Sequence, residues 1–491
     1  MLAASLLPDS GIDVWMMLRA IWEPHLWVFV ASLLLTLALT PMVRALAMRW
    51  HIYDMPDERL KTHGRPIPYL GGVAIFLGWA IPVLFVAGWM CGRPQDNAIP
   101  PDTVRMMKEA TGPYSLANDE VWARAADPAT AMETIAPDTG KRLDEWPSEE
   151  RFEKLTRRQR VAEALQQATR SDSQWIEDPQ TLFWIVGVAF MMLLLGLLDD
   201  LKDLSPKLKI GGQIIAALVL AAGGVVFDAF PRGLPVDLGG AALFPQGVLW
   251  VAALGIVLQI MLVVGASNAT NLLDGLDGLC SGVTAFICVG FLVLATSLLA
   301  WDLFRGATVP LHYRHAETIV LLSFALLGAV LGFLPYNFNP ASIFMGDAGS
   351  MFLGFMAATF MILFAERPEG FKWFLGSMVI FGLPIFDTGL ALVRRLVNHQ
   401  PIFAGDRSHF YDQLVDRGFS VQKSVSINYL LAIIFVAVGL GIVFLKLRFA
   451  VITYVLIFAA IALAALRLGF VRVDSGKPSP GAGSSRPGKD A

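Results

Sequence analysis

Residues 268–279 read NATNLLDGLDGL, and they lie between two apolar runs, 247–266 and 280–300. Asn268, Asn271, Asp274 and Asp277 recur every third position, which places their oxygens on one face wherever the segment is helical. Gly275 and Gly278 let the backbone approach a ligand closely or take a positive φ. Oxygen-only donors suit a hard cation such as Mg2+, which binds through one or two carboxylates, retained waters and substrate phosphates. DG pairs also make ordinary turns, so this stretch argues for chemistry only in company.

The company is present. In GLLDDLKDLSPKLKIGGQ (196–213), Asp199 and Asp200 repel each other unless a cation lies near, and Lys207 and Lys209 follow closely. Acid pairs beside lysines suit a site that holds both metal and phosphate. FMGDAGSMFLG (344–354) sets Asp347 between two glycines just before an apolar run, where a helix N-terminus favours phosphate. DMPDERLKTHGRPIPYLGG (54–72) is a Pro/Gly-shaped loop carrying Arg59, Lys61, His63 and Arg65. FAGDRSHFYDQLVDRGFS (403–420) offers Arg407 and His409 to a pyrophosphate.

What must position them is a membrane bundle. The chain of 491 residues is 55% hydrophobic and 16% charged, against about 25% charged in soluble domains. Eleven apolar runs approach the length that crosses a bilayer as a helix, near 26–48, 71–90, 181–198, 211–230, 247–266, 280–300, 317–335, 351–365, 373–393, 425–445 and 449–470. The run at 351–365 is short and that at 373–393 contains Pro384 and Asp387, so ten or eleven spans are expected of an all-α polytopic protein. The first run is long enough to span rather than to serve as a cleavable signal. Cys91, Cys280 and Cys288 form neither a disulfide framework nor a metal spacing and read as packing residues.

Alternating the loops puts all five polar segments on one side. That side carries thirteen basic residues in short loops: Arg44, Arg49, Arg59, Lys61 and Arg65; Lys202, Lys207 and Lys209; Arg394, Arg395, Arg407, Arg417 and Lys423. The other side has seven: Arg232, Arg305, Arg314, Arg367, Lys372, Lys446 and Arg448. By the positive-inside rule the polar side is cytoplasmic. Residues 1–90 then form two spans and the first loop, and 181–470 form the catalytic core. Segment 91–180 forms an extracytoplasmic insert with a solvated helix over Ser148–Arg170. The Pro/Gly/Ser-rich tail, 471–491, is expected to be disordered.

Together these segments resemble the polyprenyl-phosphate N-acetylhexosamine-1-phosphate transferase family. The matches are Arg59, Lys61, His63 and the PxPxxGG of Pro66–Gly72; Asp199–Asp200 with Lys209 and Gln213; NAxNxxDGxDGL at 268–279; and GDAGS at 346–350. The resemblance implies transfer of a sugar-1-phosphate from a UDP-sugar to a polyprenyl phosphate, with release of UMP and a need for Mg2+, or Mn2+ in its place. It implies that Asp347 and Asn271 ligate the metal and that Asp277 contacts uracil. Lys209 would meet the acceptor phosphate, with Asp199 and Asp200 the acidic pair at the nucleophile. Lys61 and Asp274 would join in binding substrate, and Arg407 and His409 in binding pyrophosphate. A place in the plasma (inner) membrane, no nucleic-acid partner and compatibility with a homodimer complete the expectation.

The fifth segment departs from many members: Phe410, Tyr411 and Asp412 follow His409 where others cluster histidines. This favours the branch that uses UDP-GlcNAc and initiates cell-surface polysaccharide over the one that uses UDP-MurNAc-pentapeptide. Two rivals come from other classes. A secondary transporter places its carboxylates near the midplane in repeat-related pairs, and no repeat is found here. An intramembrane aspartyl protease needs two facing aspartates, and the bases and amides around these acids suit phosphate better.

Overall fold

The computed structural model describes residues 14–54, 66–91, 179–227, 249–304, 314–365, 370–399 and 409–467. The expected insert at 91–180, its helix over Ser148–Arg170, the tail at 471–491, and the first- and fifth-loop residues Arg59, Lys61, His63, Arg65 and Arg407 fall wholly or almost wholly outside them. The described chain is helical apart from one two-residue ladder. In order it forms α1 (Val14–Arg49), β1 (Tyr53–Asp54), β2 (Ile67–Pro68), α2 (Gly71–Cys91), α3 (Pro179–Lys202), α4 (Pro206–Ala222), α5 (Leu249–Leu273) and α6 (Leu279–Phe304). Then follow α7 (Arg314–Asn337), α8 (Gly346–Ala365), α9 (Gly370–Ile380), α10 (Gly382–Val397), α11 (Phe410–Asp416), α12 (Val421–Ile442) and α13 (Leu447–Arg467).

Helix α8 is the axis of the bundle. A helix that is apolar on every side belongs in an interior, and every residue from Ala348 to Ala365 is buried. Helices α2, α3, α5 and α9 pack around it. Small residues allow this where lipid gives no hydrophobic drive for association. A Cβ at Gly72 would strike the Gly349 backbone, and one at Gly196 would strike the Asp347 carbonyl. Aromatic rings fill the remaining space, with Trp79 and Phe352 5.3 Å apart and Phe291 and Phe360 also 5.3 Å apart.

Eight described helices are long and apolar enough to cross a membrane, nine if one bent pair counts as a single span. Ten or eleven spans were expected, and among the described residues two of the expected runs depart from a single long helix. The run at 373–393 breaks into α9 and α10, which meet at 72°. Pro384 removes the amide that would bond the Ile380 carbonyl, and the buried Asp387 sits one turn further on. Helix α4 stops after 17 residues. Its end is held by Gln259 of α5, whose Nε2 donates to the Ala217 and Val225 carbonyls, both at 3.0 Å, while its Oε1 accepts from Phe227 N–H at 2.9 Å. Helix α13 runs over 21 residues, apolar over 449–466.

Candidate active site

The first loop enters through its two ends. Tyr53 pairs with Pro68 and Asp54 with Ile67 in an antiparallel ladder. Beyond it, the Phe344 N–H donates to the Pro68 carbonyl at 3.0 Å, and Gly71 and Gly72 donate to the Phe344 and Met345 carbonyls, each at 2.9 Å. The PxPxxGG stretch is therefore fastened directly to the chain entering α8. Between them Tyr69 donates its hydroxyl to the Asp200 carbonyl at 2.6 Å.

The two adjacent aspartates at the end of α3 face different partners. Asp199 Oδ2 pairs with Lys209, and its Oδ1 accepts from Leu204 N–H at 2.8 Å. Asp200 accepts from the backbone of α8, with Oδ1 on Asp347 N–H at 2.8 Å and Oδ2 on Ala348 N–H at 3.0 Å.

Lys209 is the electrostatic centre. Ser205 and Pro206 open α4, a proline at the first helical positions costing no hydrogen bond, so Lys209 falls in the first turn, turned back toward α3. Its Nζ lies against Asp199 and 2.6 Å from Asp347 Oδ2. Burial alone would pull the ammonium down, but Asp347 and Asp199 outweigh it and hold Lys209 above its ordinary value. From α5, Asn271 Nδ2 donates to Asp347 Oδ1 at 2.8 Å and to Ser350 Oγ at 3.0 Å. One turn deeper, Asn268 Nδ2 donates to Gln213 Oε1 at 2.8 Å, tying α5 to α4.

The DG segment closes the site. Asp274 keeps part of its surface open, yet lies deep enough in the ring of helices that loss of water pushes its carboxyl well above the usual range, with Asp347, Asp200 and Asp277 adding repulsion. Asp277 Oδ2 accepts from Asn339 Nδ2 and Ala341 N–H, both at 2.9 Å. Gly278, at φ +78°, donates its N–H to Asn337 Oδ1 at 3.2 Å. Asp277 is thus also a brace between the DG segment and the chain leaving α7.

The fifth loop docks through α11. His409 is buried, with Nδ1 2.8 Å from Asp387 Oδ2, and Asp387 Oδ1 accepts from Phe410 N–H at 2.7 Å. The His409 ring stacks on Tyr411 at 5.5 Å and 7°, and Tyr411 donates its hydroxyl to the Leu272 carbonyl at 2.8 Å. Gly275 leaves room for the phenol, since a Cβ there would run into it.

Of the residues expected from sequence, Asp199, Lys209, Asn271 and Asp347 form one contiguous group, with Asp200 behind it and Asp274 within range of its charges. Asp277 and His409 are bonded into the flanking loops. Tyr69, Asp387 and Tyr411 were assigned no role from sequence. Tyr69 lies in the middle of PxPxxGG, and Asp387 is an acid inside an apolar run, which are the signals that mark them.

Residues 182–365 match the family described as glycosyl transferase family 4. A Bacillus subtilis (strain 168) protein named probable undecaprenyl-phosphate N-acetylglucosaminyl 1-phosphate transferase is 30% identical over 410 residues, 83% of this chain and 82% of that protein. The chain belongs to the polyprenyl-phosphate N-acetylhexosamine-1-phosphate transferase family. Within that transferase family, the decaprenyl-phosphate N-acetylglucosaminephosphotransferase of Mycobacterium tuberculosis (strain ATCC 25618 / H37Rv) is 34% identical over 50% of this chain and 59% of its own length. The phospho-N-acetylmuramoyl-pentapeptide-transferase of Oceanobacillus iheyensis is 32% identical over 57% of this chain and 79% of its own. The matched block from 182 to 365 runs from α3 to the end of α8, and so contains Asp199, Lys209, Asn271 and Asp347.

The family implies Mg2+, and the donor set fits it. Among the described residues no group of three or more His, Cys, Asp or Glu has metal-ligand spacing. Mg2+ does not need such a cage, since one or two carboxylates with phosphate oxygens and waters suffice. Asp199 and Asp347 already converge on one cationic group.

Proposed function

We propose that this protein transfers GlcNAc-1-phosphate from UDP-GlcNAc to a polyprenyl phosphate, releasing UMP, at the cytoplasmic face of the plasma membrane. The lipid-linked sugar would initiate an envelope polysaccharide. The observation that carries the proposal is the Lys209 ammonium held against both Asp199 and Asp347 at the end of the buried α8.

An oxygen of the acceptor phosphate attacks the β-phosphorus of the UDP-sugar. The new P–O–P bond joins sugar-1-phosphate to lipid, and the bond to the α-phosphate breaks, releasing UMP. The nucleophile is already anionic, so the barrier lies in bringing negative groups together, and positioned charge does most of the work. Lys209 can turn from the carboxylates to pair with the acceptor phosphate. Asp199, released from it, keeps its place through Leu204 N–H. Asn271 holds Asp347 in orientation. Mg2+, held by Asp347 and Asp199 with the Asn271 amide oxygen, would neutralise pyrophosphate charge. Arg407 and Lys61, on the loops whose ends meet the site, are proposed as further phosphate contacts.

GlcNAc is favoured over MurNAc-pentapeptide by the His409-Phe410-Tyr411-Asp412 wording of the fifth loop and by the name of the relative matched over most of the chain. The test is purified protein with polyprenyl phosphate, Mg2+ and a panel of UDP-sugars, scored for UMP release. Release with UDP-GlcNAc supports the proposal. Release only with UDP-MurNAc-pentapeptide would move the protein to the other branch, and solute uptake without UMP release would favour a transporter.

A further inference from the structure

Adjacent carboxylates at the end of a helix are easily credited with one shared task, but here they are divided. We infer that Asp200 is a positioning residue that caps α8 across the bundle and so fixes Asp347, while Asp199 alone of the pair faces the reacting groups.

The first turn of any helix leaves backbone N–H groups without intrahelical partners. In α8 this turn passes from part-buried Gly346 and Asp347 into fully buried Ala348, where an unpaired N–H is costly. No side chain of its own loop meets the Asp347 and Ala348 amides. Asp200, 147 residues earlier than Asp347, takes both, one with each oxygen. A carboxylate at a helix N-terminus also gains from the helix dipole. Three neighbours are shaped for this. Gly346 takes φ +71°, and a Cβ there would lie 2.6 Å from Asp200 Oδ2, so only glycine leaves the carboxylate its place. Tyr69 anchors the Asp200 carbonyl. The main-chain bonds from Gly71 and Gly72 to Phe344 and Met345 hold the same entry to α8 from the other side.

The consequence reaches the candidate chemistry through one residue. Asp347 hangs its backbone on Asp200 and offers its side chain to Lys209 and Asn271. Removing the cap frees the turn that aims Asp347, and a displacement of about 1 Å in a catalytic group can cost roughly a hundredfold in rate. An asparagine oxygen can accept only one of the two amides, so it keeps half of this cap, and it cannot replace a carboxylate as base or strong metal ligand.

The experiment compares full-length wild type, Asp200→Asn, Asp200→Ala and Asp199→Ala in detergent, by amide hydrogen exchange over residues 344–354 and by UMP release. Its activity arm rests on the transferase reading; its exchange arm does not. Exchange in this segment should rise about tenfold or more in Asp200→Ala, less in Asp200→Asn, and stay at the wild-type rate in Asp199→Ala. Asp200→Asn should keep kcat within about tenfold of wild type, with Asp200→Ala near a hundredfold down. Unchanged exchange in Asp200→Ala would overturn the assignment whatever the activity. So would an Asp200→Asn protein as inactive as Asp200→Ala but protected like wild type. If wild type releases no UMP from any donor, the transferase reading falls and the exchange data still decide the cap.

Discussion

Lys209 Nζ stands 2.6 Å from Asp347 Oδ2, joining residues 138 positions apart in the chain. With Asp199 on its other side, this ammonium keeps two inward-facing carboxylates together. Replacing Lys209 by Met leaves those charges to repel each other and removes the cation proposed for the acceptor phosphate. Loss of one well-placed electrostatic group costs about 10²- to 10³-fold in kcat. We expect a fall of that size in UMP release for Lys209→Met, and a milder one for Lys209→Arg. A Lys209→Met protein with wild-type kcat would place the reaction elsewhere.

Gln259 tests the frame rather than the chemistry. Its side chain satisfies one backbone N–H and two carbonyls at the buried end of α4, and leaving a buried polar group unpaired costs about 1–3 kcal/mol. Gln259→Leu should therefore lose roughly 2 kcal/mol of stability, read as a lower thermal midpoint in detergent. Gln259→Glu should recover part of it only at acidic pH, where the carboxyl is neutral and can donate. An unchanged midpoint in Gln259→Leu would mean that α4 does not depend on this anchor.

The five-loop convergence was legible in the sequence, because acids, glycines and amides recur at alternate ends of apolar runs, and Tyr69, Asp199, Lys209, Asn271, Asp347 and Tyr411 now join those loops by hydrogen bonds and ion pairs. The split between Asp199 and Asp200 was not legible. Side-chain direction at a helix end depends on what packs there, here the first turn of α8. The break at Phe381 was signalled by Pro384 and Asp387 inside an apolar run, though not its 72° angle. Asp387 could not be paired with His409 in advance, because the two lie 22 positions apart with no helical spacing to relate them.

Asp274 gives a pH dependence of defined sign. Its carboxyl is held well above the usual range in the folded protein, against about 3.9 when unfolded. The unfolded chain therefore gives up this proton first as pH rises. The stabilising contribution is full below about pH 4 and is lost as pH climbs through the folded value. In the absence of divalent cation, the thermal midpoint of wild type should fall more steeply than that of Asp274→Asn as pH is raised above the ordinary carboxylate range. Parallel curves would show that Asp274 ionises normally.

Tyr411→Phe removes the bond that docks α11 on the DG segment. One such bond is worth about 1 kcal/mol, so kcat/KM for UDP-GlcNAc should drop by roughly fivefold with little change in thermal midpoint. An unaltered kcat/KM would separate the fifth loop from substrate binding.

The most direct measurement is UMP release by Asp347→Asn beside wild type, with polyprenyl phosphate, UDP-GlcNAc and Mg2+, each protein checked for a cooperative thermal transition. Wild type should release UMP in step with lipid-linked sugar. Asp347→Asn, folded to a similar midpoint, should be at least about 10³-fold slower. Wild-type turnover in a folded Asp347→Asn protein would contradict the site at the head of α8.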